Sequence, residues 1–114
     1  AVAFGAMDWS TPTTLDFEPP DLDTFRCLGL AYAAGRSGGT APAWFSAANE
    51  IAVDAFLAGR IGWAAIAQVV DAALQRWDGS AASSLDAVLA ADAAGRRAAT
   101  DLLETSMFDL ESPR

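Results

Sequence analysis

Between Phe45 and Ile61 the apolar and polar positions follow a helical period. Phe45, Ala48, Ala52 and Phe56 fall on one face, with Trp44, Ile51 and Ala55 beside them. Ser46, Glu50 and Asp54 recur every four residues and form the wet side. Asn49 interrupts the scheme. It lies one turn after Phe45 and one before Val53, so its amide is aimed at or beside the apolar face. Burying that amide without a partner costs about 1–3 kcal/mol, so it needs a bond to a neighbouring helix or to the preceding linker. Asn49 is therefore the candidate clasp of the fold, with Ser46 and Glu50 flanking it; capping of a local turn is the alternative. Gly59 supplies a left-handed stop.

Three further helices follow from the same pattern. The first starts after Asp21 or Asp23, either of which can cap it, and runs to about Gly35. Arg36-Ser37-Gly38-Gly39 is a turn; Thr40 caps the second helix, with Pro42 tolerated in its first turn. The third follows Gly62, with Trp63, Ile66, Val70, Ala73 and Trp77 as its stripe and Asp78-Gly79 at its close. Ser83 and Ser84 offer the next cap, and the fourth helix turns Leu85, Val88, Leu89, Ala99 and Leu102 inward. Asp92 and Arg96, four apart, contribute about 0.3–0.5 kcal/mol to it. Upstream, Ala1 to Pro20 has no helical period. Thr14 to Glu18 alternates as a short strand would, with Leu15 and Phe17 on one side, bracketed by Pro12, Pro19 and Pro20. A lone strand cannot satisfy its own backbone, so this arm is expected to pair with another chain or with sheet outside this one. The expectation is an all-α domain: a small four-helix bundle over residues 21–107 with mostly antiparallel neighbours, an extended arm with a short strand over 1–20, and a frayed tail over 108–114.

Composition sharpens this picture. The 114 residues suffice for one domain with one core. Alanine supplies nearly half of the 53% hydrophobic content, which favours closely packed helices. Fifteen acids against seven arginines give a net charge of −8, which repels phosphate backbones and anionic lipid. Nucleic acid and membrane surfaces are therefore set aside as partners. The longest apolar run, Ile61 to Val70, is too short to span a bilayer. No secretory leader opens the chain, so a cytoplasmic protein is expected, and a first residue other than methionine fits a processed or excised piece.

Little chemistry is on offer. The chain has no histidine, which removes Ser-His and Cys-His nucleophile pairs and imidazole metal sites. Cys27 is alone and sits in the apolar pattern of Phe25, Leu28, Ala31 and Tyr32, where a core thiol is expected rather than a nucleophile. Asp8, Asp16, Glu18, Asp21 and Asp23 cluster in the arm; a hard cation is conceivable there, but the irregular spacing reads as a solvated acidic linker. Gly38-Gly39-Thr40 opens a helix and could hold an anion, yet it has no lysine and follows no strand, so an interhelix turn is expected. From the residues alone, no catalytic, cofactor-binding or metal-binding residue can be assigned.

The run Ser46-Ala47-Ala48-Asn49-Glu50, followed by Ala55 to Ile61, resembles the carboxy-terminal domain of 1-deoxy-D-xylulose 5-phosphate reductoisomerase, which carries Asn-Ala-Ala-Asn-Glu leading into an Ala-Phe-Leu stretch. Ala6-Met7-Asp8-Trp9, Leu15 to Pro19 with Asp21 to Leu28, and Ser84 to Leu89 resemble further elements in the same order. Ser46 departs from the family's asparagine. Arg26 departs from a common proline, and is expected to loosen the start of the first helix. The resemblance implies an enzyme using NADPH and Mg or Mn to convert 1-deoxy-D-xylulose 5-phosphate into 2-C-methyl-D-erythritol 4-phosphate in non-mevalonate isoprenoid biosynthesis, most simply as a homodimer. The Gly-rich cofactor turn and the metal and phosphate ligands of that enzyme have no counterpart here. This stretch would then support the catalytic portion of the same enzyme and be inactive alone. The alternative is a free-standing helical module that binds a protein partner.

Overall fold

The computed structural model describes residue 6 and residues 8–105. Four helices follow one another: α1 (Arg26–Ser37), α2 (Ala41–Leu57), α3 (Trp63–Leu74) and α4 (Leu85–Glu104). Among the described residues there is no strand, so the domain is all-α. α2 touches the other three helices, whereas α1 touches α2 and α3 but not α4. Its contact face is Trp44 surrounded by Ala47, Ala48, Ala52 and Ala55, all buried. Short alanine side chains let neighbouring backbones come close, which is how an alanine-rich chain builds a core without bulk. Ile61, Ile66, Val69 and Val70 from the α3 side and Ala98, Ala99, Leu102 and Leu103 from α4 complete it.

The helix ends show why the chain turns where it does. Gly59 has φ +77°, and the Gly59 and Arg60 N–H groups donate to the carbonyls of Phe56 and Ala55 at 3.0 and 2.9 Å. These bonds satisfy the last turn of α2. Ser84 caps α4, its Oγ accepting the Ala87 N–H at 3.1 Å. Pro42 sits within the first turn of α2.

Several boundaries differ from the sequence reading. α1 begins at Arg26 with no side-chain cap. Asp21 closes a turn ahead of it instead, accepting the Thr24 hydroxyl at 2.6 Å and the Thr24 and Asp23 N–H groups at 3.1 Å. Those bonds, the Thr24 hydroxyl first, hold its carboxyl below the usual range. α1 also runs past Gly35 and stops at Gly38, φ +70°. α3 stops at Leu74, so Trp77 lies beyond it, and Trp63 is 57% exposed while Val69 is buried. On α4, Leu85 and Leu89 face solvent and the buried stripe is Ala91, Ala98, Ala99, Leu102 and Leu103. The first turns of α4 have less against which to pack, so large side chains there are left outside. Residues 8–25 form the extended arm, but the expected strand is not formed: Leu15 and Phe17 are exposed and no ladder partner exists among the described residues. The expected tail over 108–114 lies outside the described residues.

Candidate functional site

A buried polar junction of the bundle lies at Thr40. Thr40 is 1% exposed and is the buried polar residue of the described chain. Its N–H and its hydroxyl both donate to the Ser80 carbonyl at 3.0 Å, and its Oγ1 accepts the Trp77 indole N–H at 2.8 Å. With its single proton spent on that carbonyl, the 2.7 Å contact to Ser80 Oγ must be donated by Ser80. The hydroxyl is thereby saturated and ties the start of α2 to the loop leading into α4. Sequence reasoning made Thr40 a helix cap; its side chain caps nothing. The missed signal was the Gly38-Gly39 pair. A Cβ on Gly39 would lie 2.6 Å from the Ser80 carbonyl oxygen, so this turn is a close backbone approach and leaves no space for an anion. Trp44 makes the second junction, donating its indole N–H to the Ala73 carbonyl at 2.7 Å near the end of α3.

Asn49 is half-buried. The hydrogen bonds that join separate elements run through Thr40, Trp44, Trp77, Arg26 and Arg96, and none uses the Asn49 amide. Among the described residues, then, its amide joins no two elements. Ser46 and Glu50 are exposed. Glu50 accepts a bond from Arg96 at 2.9 Å, joining α2 to α4, and Asp92 holds the same guanidinium from one turn away at 3.0 Å. Arg26, at the start of α1, pairs with Asp71 on α3 at 3.0 Å. Each of these pairs is solvent-exposed and contributes about 0–1 kcal/mol. Thr40→Val is accordingly expected to cost about 1–3 kcal/mol in urea unfolding, since it strands the Trp77 N–H and the Ser80 hydroxyl. Asn49→Ala in the same chain should stay within about 0.5 kcal/mol. A reversed order would return the clasp to Asn49.

A groove of about 490 Å³ opens between the first turn of α1 and the first turns of α3, lined by Phe25, Cys27, Val53, Trp63 and Ile66 among others. Cys27 is half-buried and packs against the core. Burial pushes its thiol up, partly offset by the charge of Arg26, so the protonated form is favoured. Asn49 stands one turn before Val53 on the same row of α2. In the arm, the Ser10 hydroxyl and N–H hold Asp8 below the usual carboxylate range. Among the described residues no group of three or more His, Cys, Asp or Glu side chains is arranged to hold a metal ion. No helix described is long and apolar enough to cross a membrane.

Four helices tied by internal hydrogen-bonded junctions, with an apolar groove beside the end of an extended arm, define an all-α domain. The family model for the DXP reductoisomerase C-terminal domain matches residues 2–98, and the chain belongs to that family. It is 50% identical over 91 residues to a 1-deoxy-D-xylulose 5-phosphate reductoisomerase of Chloroherpeton thalassium, covering 80% of this chain and 24% of that protein. With the reductoisomerase of Cutibacterium acnes it shares 48% identity over 113 residues, covering 88% of this chain and 28% of the relative. The structure of the Zymomonas mobilis enzyme in complex with NADPH matches with a TM-score of 0.80 and 39% identity, over 92% of this chain and 28% of that one. The chain thus spans about a quarter of the length of the curated relatives it matches.

Proposed function

We propose that this chain serves as the carboxy-terminal helical domain of an NADPH- and divalent-metal-dependent reductoisomerase. The enzyme converts 1-deoxy-D-xylulose 5-phosphate into 2-C-methyl-D-erythritol 4-phosphate in non-mevalonate isoprenoid biosynthesis. The observation that carries this reading is the match of 92% of the chain to the Zymomonas mobilis enzyme, at a TM-score of 0.80 with 39% identity. The described residues do not fit either cofactor: they include no strand from which a dinucleotide-binding turn could spring, and no acidic cluster with metal-ligand geometry. No chemical step is therefore assigned to them. Their contribution is to brace, through a rigid core and an arm that reaches away from it. The working enzyme in this reading is a cytoplasmic homodimer, and its partner within each subunit is the catalytic portion of the same polypeptide. Asn49, flanked by Ser46 and Glu50, keeps a clasp role toward that portion, a reading supported by its half-buried amide taking no part in the bonds that join elements among the described residues.

The 114-residue chain alone is expected neither to oxidise NADPH in the presence of 1-deoxy-D-xylulose 5-phosphate and Mn nor to change its melting temperature with Mn. Fused in place of the corresponding quarter of the Zymomonas mobilis enzyme, it should sustain NADPH oxidation that the truncated enzyme has lost. A folded fusion with no more activity than the truncated enzyme would defeat the reading, and turnover by the isolated chain would show that chemistry resides in the bundle.

A further inference from the structure

We propose that α1, with the arm attached to it, is a strap hinged at Gly38 that lifts off the bundle as one unit while α2, α3 and α4 stay folded. This motion belongs to the bundle itself, whatever reaction the longer enzyme catalyses. The buried cluster of the domain is built from α2, α3, α4 and Ile61, and no residue of α1 belongs to it. Of the 12 residues of α1, Ala34 is the one that is buried. Cys27 and Leu30 reach the cluster as half-buried side chains packed on its outside. The helix is also poorly built to stand on its own. No side chain caps its start, its first turn has no acid, and Gly29 and Gly35 in its interior each lower helix propensity. Among the described residues one hydrogen bond ties it to another helix, the partly exposed Arg26–Asp71 pair. By contrast, α2 is tied through Thr40, Trp44 and Glu50 to Ser80, Ala73 and Arg96. A segment with few buried contacts and exposed backbone bonds opens at a lower free energy than the whole domain unfolds.

The turn after α1 sets where the strap pivots. Gly38 and Gly39 both have positive φ, but they differ in their surroundings. Gly39 lies against the Ser80 carbonyl, and Thr40 beside it is bonded to the same group, so this side of the turn is pinned to the core. A Cβ at Gly38 would meet nothing within 4 Å, which leaves its backbone room to rotate. The boundary between the fixed and the movable part therefore falls between Ser37 and Gly39. Lifting the strap uncovers Cys27 and the Val53 and Ile66 surface beside it, without disturbing α4, which α1 does not touch.

Amide hydrogen exchange of the 114-residue chain, resolved by peptide mass spectrometry, tests the strap. Corrected for intrinsic rates, amides of α1 should exchange at least about a hundredfold faster than those in the middle of α2 and α4. Low concentrations of urea should speed exchange steeply in α2 and α4 but weakly in α1, because lifting the strap exposes less surface than unfolding does. Leu102→Val removes a buried methylene from α4. It should speed exchange in α2 and α4 by about threefold or more and leave α1 unchanged, since α4 stays packed while the strap is open. Arg26→Ala should speed exchange in α1 and alkylation of Cys27, the chain's single cysteine, by iodoacetamide, each by up to about fivefold. Protection of α1 equal to that of α2 and α4, with Leu102→Val speeding all the helices alike, would make the bundle one cooperative unit and overturn the proposal. If Leu102→Val prevents folding, the urea series on the unsubstituted chain decides the question: equal slopes in α1 and α4 overturn the strap, and a shallow slope in α1 alone upholds it. Exchange in α3 as fast as in α1 would also overturn it, because the part left behind would no longer be a three-helix core.

Discussion

Trp44→Ala is expected to remove about 3–5 kcal/mol of stability, a large fraction of the roughly 5–15 kcal/mol a domain of this size possesses. Trp44 is buried in the first turn of α2, packed against a core rich in alanines that cannot expand to fill the space. The substitution opens a cavity between α2, α3 and α4, and a close-packed backbone relaxes only partly around it. The indole N–H bond to the Ala73 carbonyl is a smaller part of the loss, because that carbonyl also accepts the Arg76 N–H at 3.0 Å. Trp44→Phe, which keeps most of the ring and gives up the N–H, should therefore lose less than half as much. Urea unfolding followed by far-ultraviolet circular dichroism measures both. A loss below about 1 kcal/mol for the alanine variant would mean that the helices close over the space, and that their packing is not organised around this ring.

Gly95→Val is the second large effect, expected to cost about 3 kcal/mol or more. A Cβ at Gly95 would lie 2.8 Å from the Trp44 carbonyl oxygen and 3.1 Å from its Cα. Both are backbone atoms of α2, so no side-chain rotation relieves the clash and the two helices must separate. The contrast is Gly35, also helical but exposed, where an added Cβ meets nothing within 4 Å. Gly35→Ala should stabilise the chain by about 0.5–1 kcal/mol, by restricting the unfolded chain and improving helix propensity. Thermal melts of the two variants in parallel decide the point. If both glycines respond alike, helix propensity rather than the α2–α4 approach controls their effect.

Much of the scaffold was legible because it depends on local periodicity and local chemistry. The stop at Gly59 and the cap at Ser84 appear in the structure as read, since a helix end is satisfied by atoms a few residues away; of the expected row on α2, Ala48 and Ala52 are buried while Phe45 and Phe56 are half-buried against the core. The resemblance carried by Ala47-Ala48-Asn49-Glu50 and Ala55 to Ile61 led to the same family that the comparisons show. The Thr40 junction was missed for a physical reason. Asn49 looks wrong for its row, which is a one-dimensional signal. Thr40 looks ordinary as a cap, and its role arises only when the Ser80 carbonyl and the Trp77 indole are brought to it from about forty residues away.

By itself the amino-acid order determined that this would be four helices, rich in alanine, acidic and without histidine. Only the tertiary structure decided which glycine is a contact between helices and which is idle, and which leucines of α4 are covered. It also decided that Arg26 meets Asp71 and Arg96 meets Glu50. Periodicity specifies which positions share a face of one helix, but how much of that face is covered depends on what the other helices place against it. That depends on contacts between residues far apart in the chain, and no local pattern encodes them.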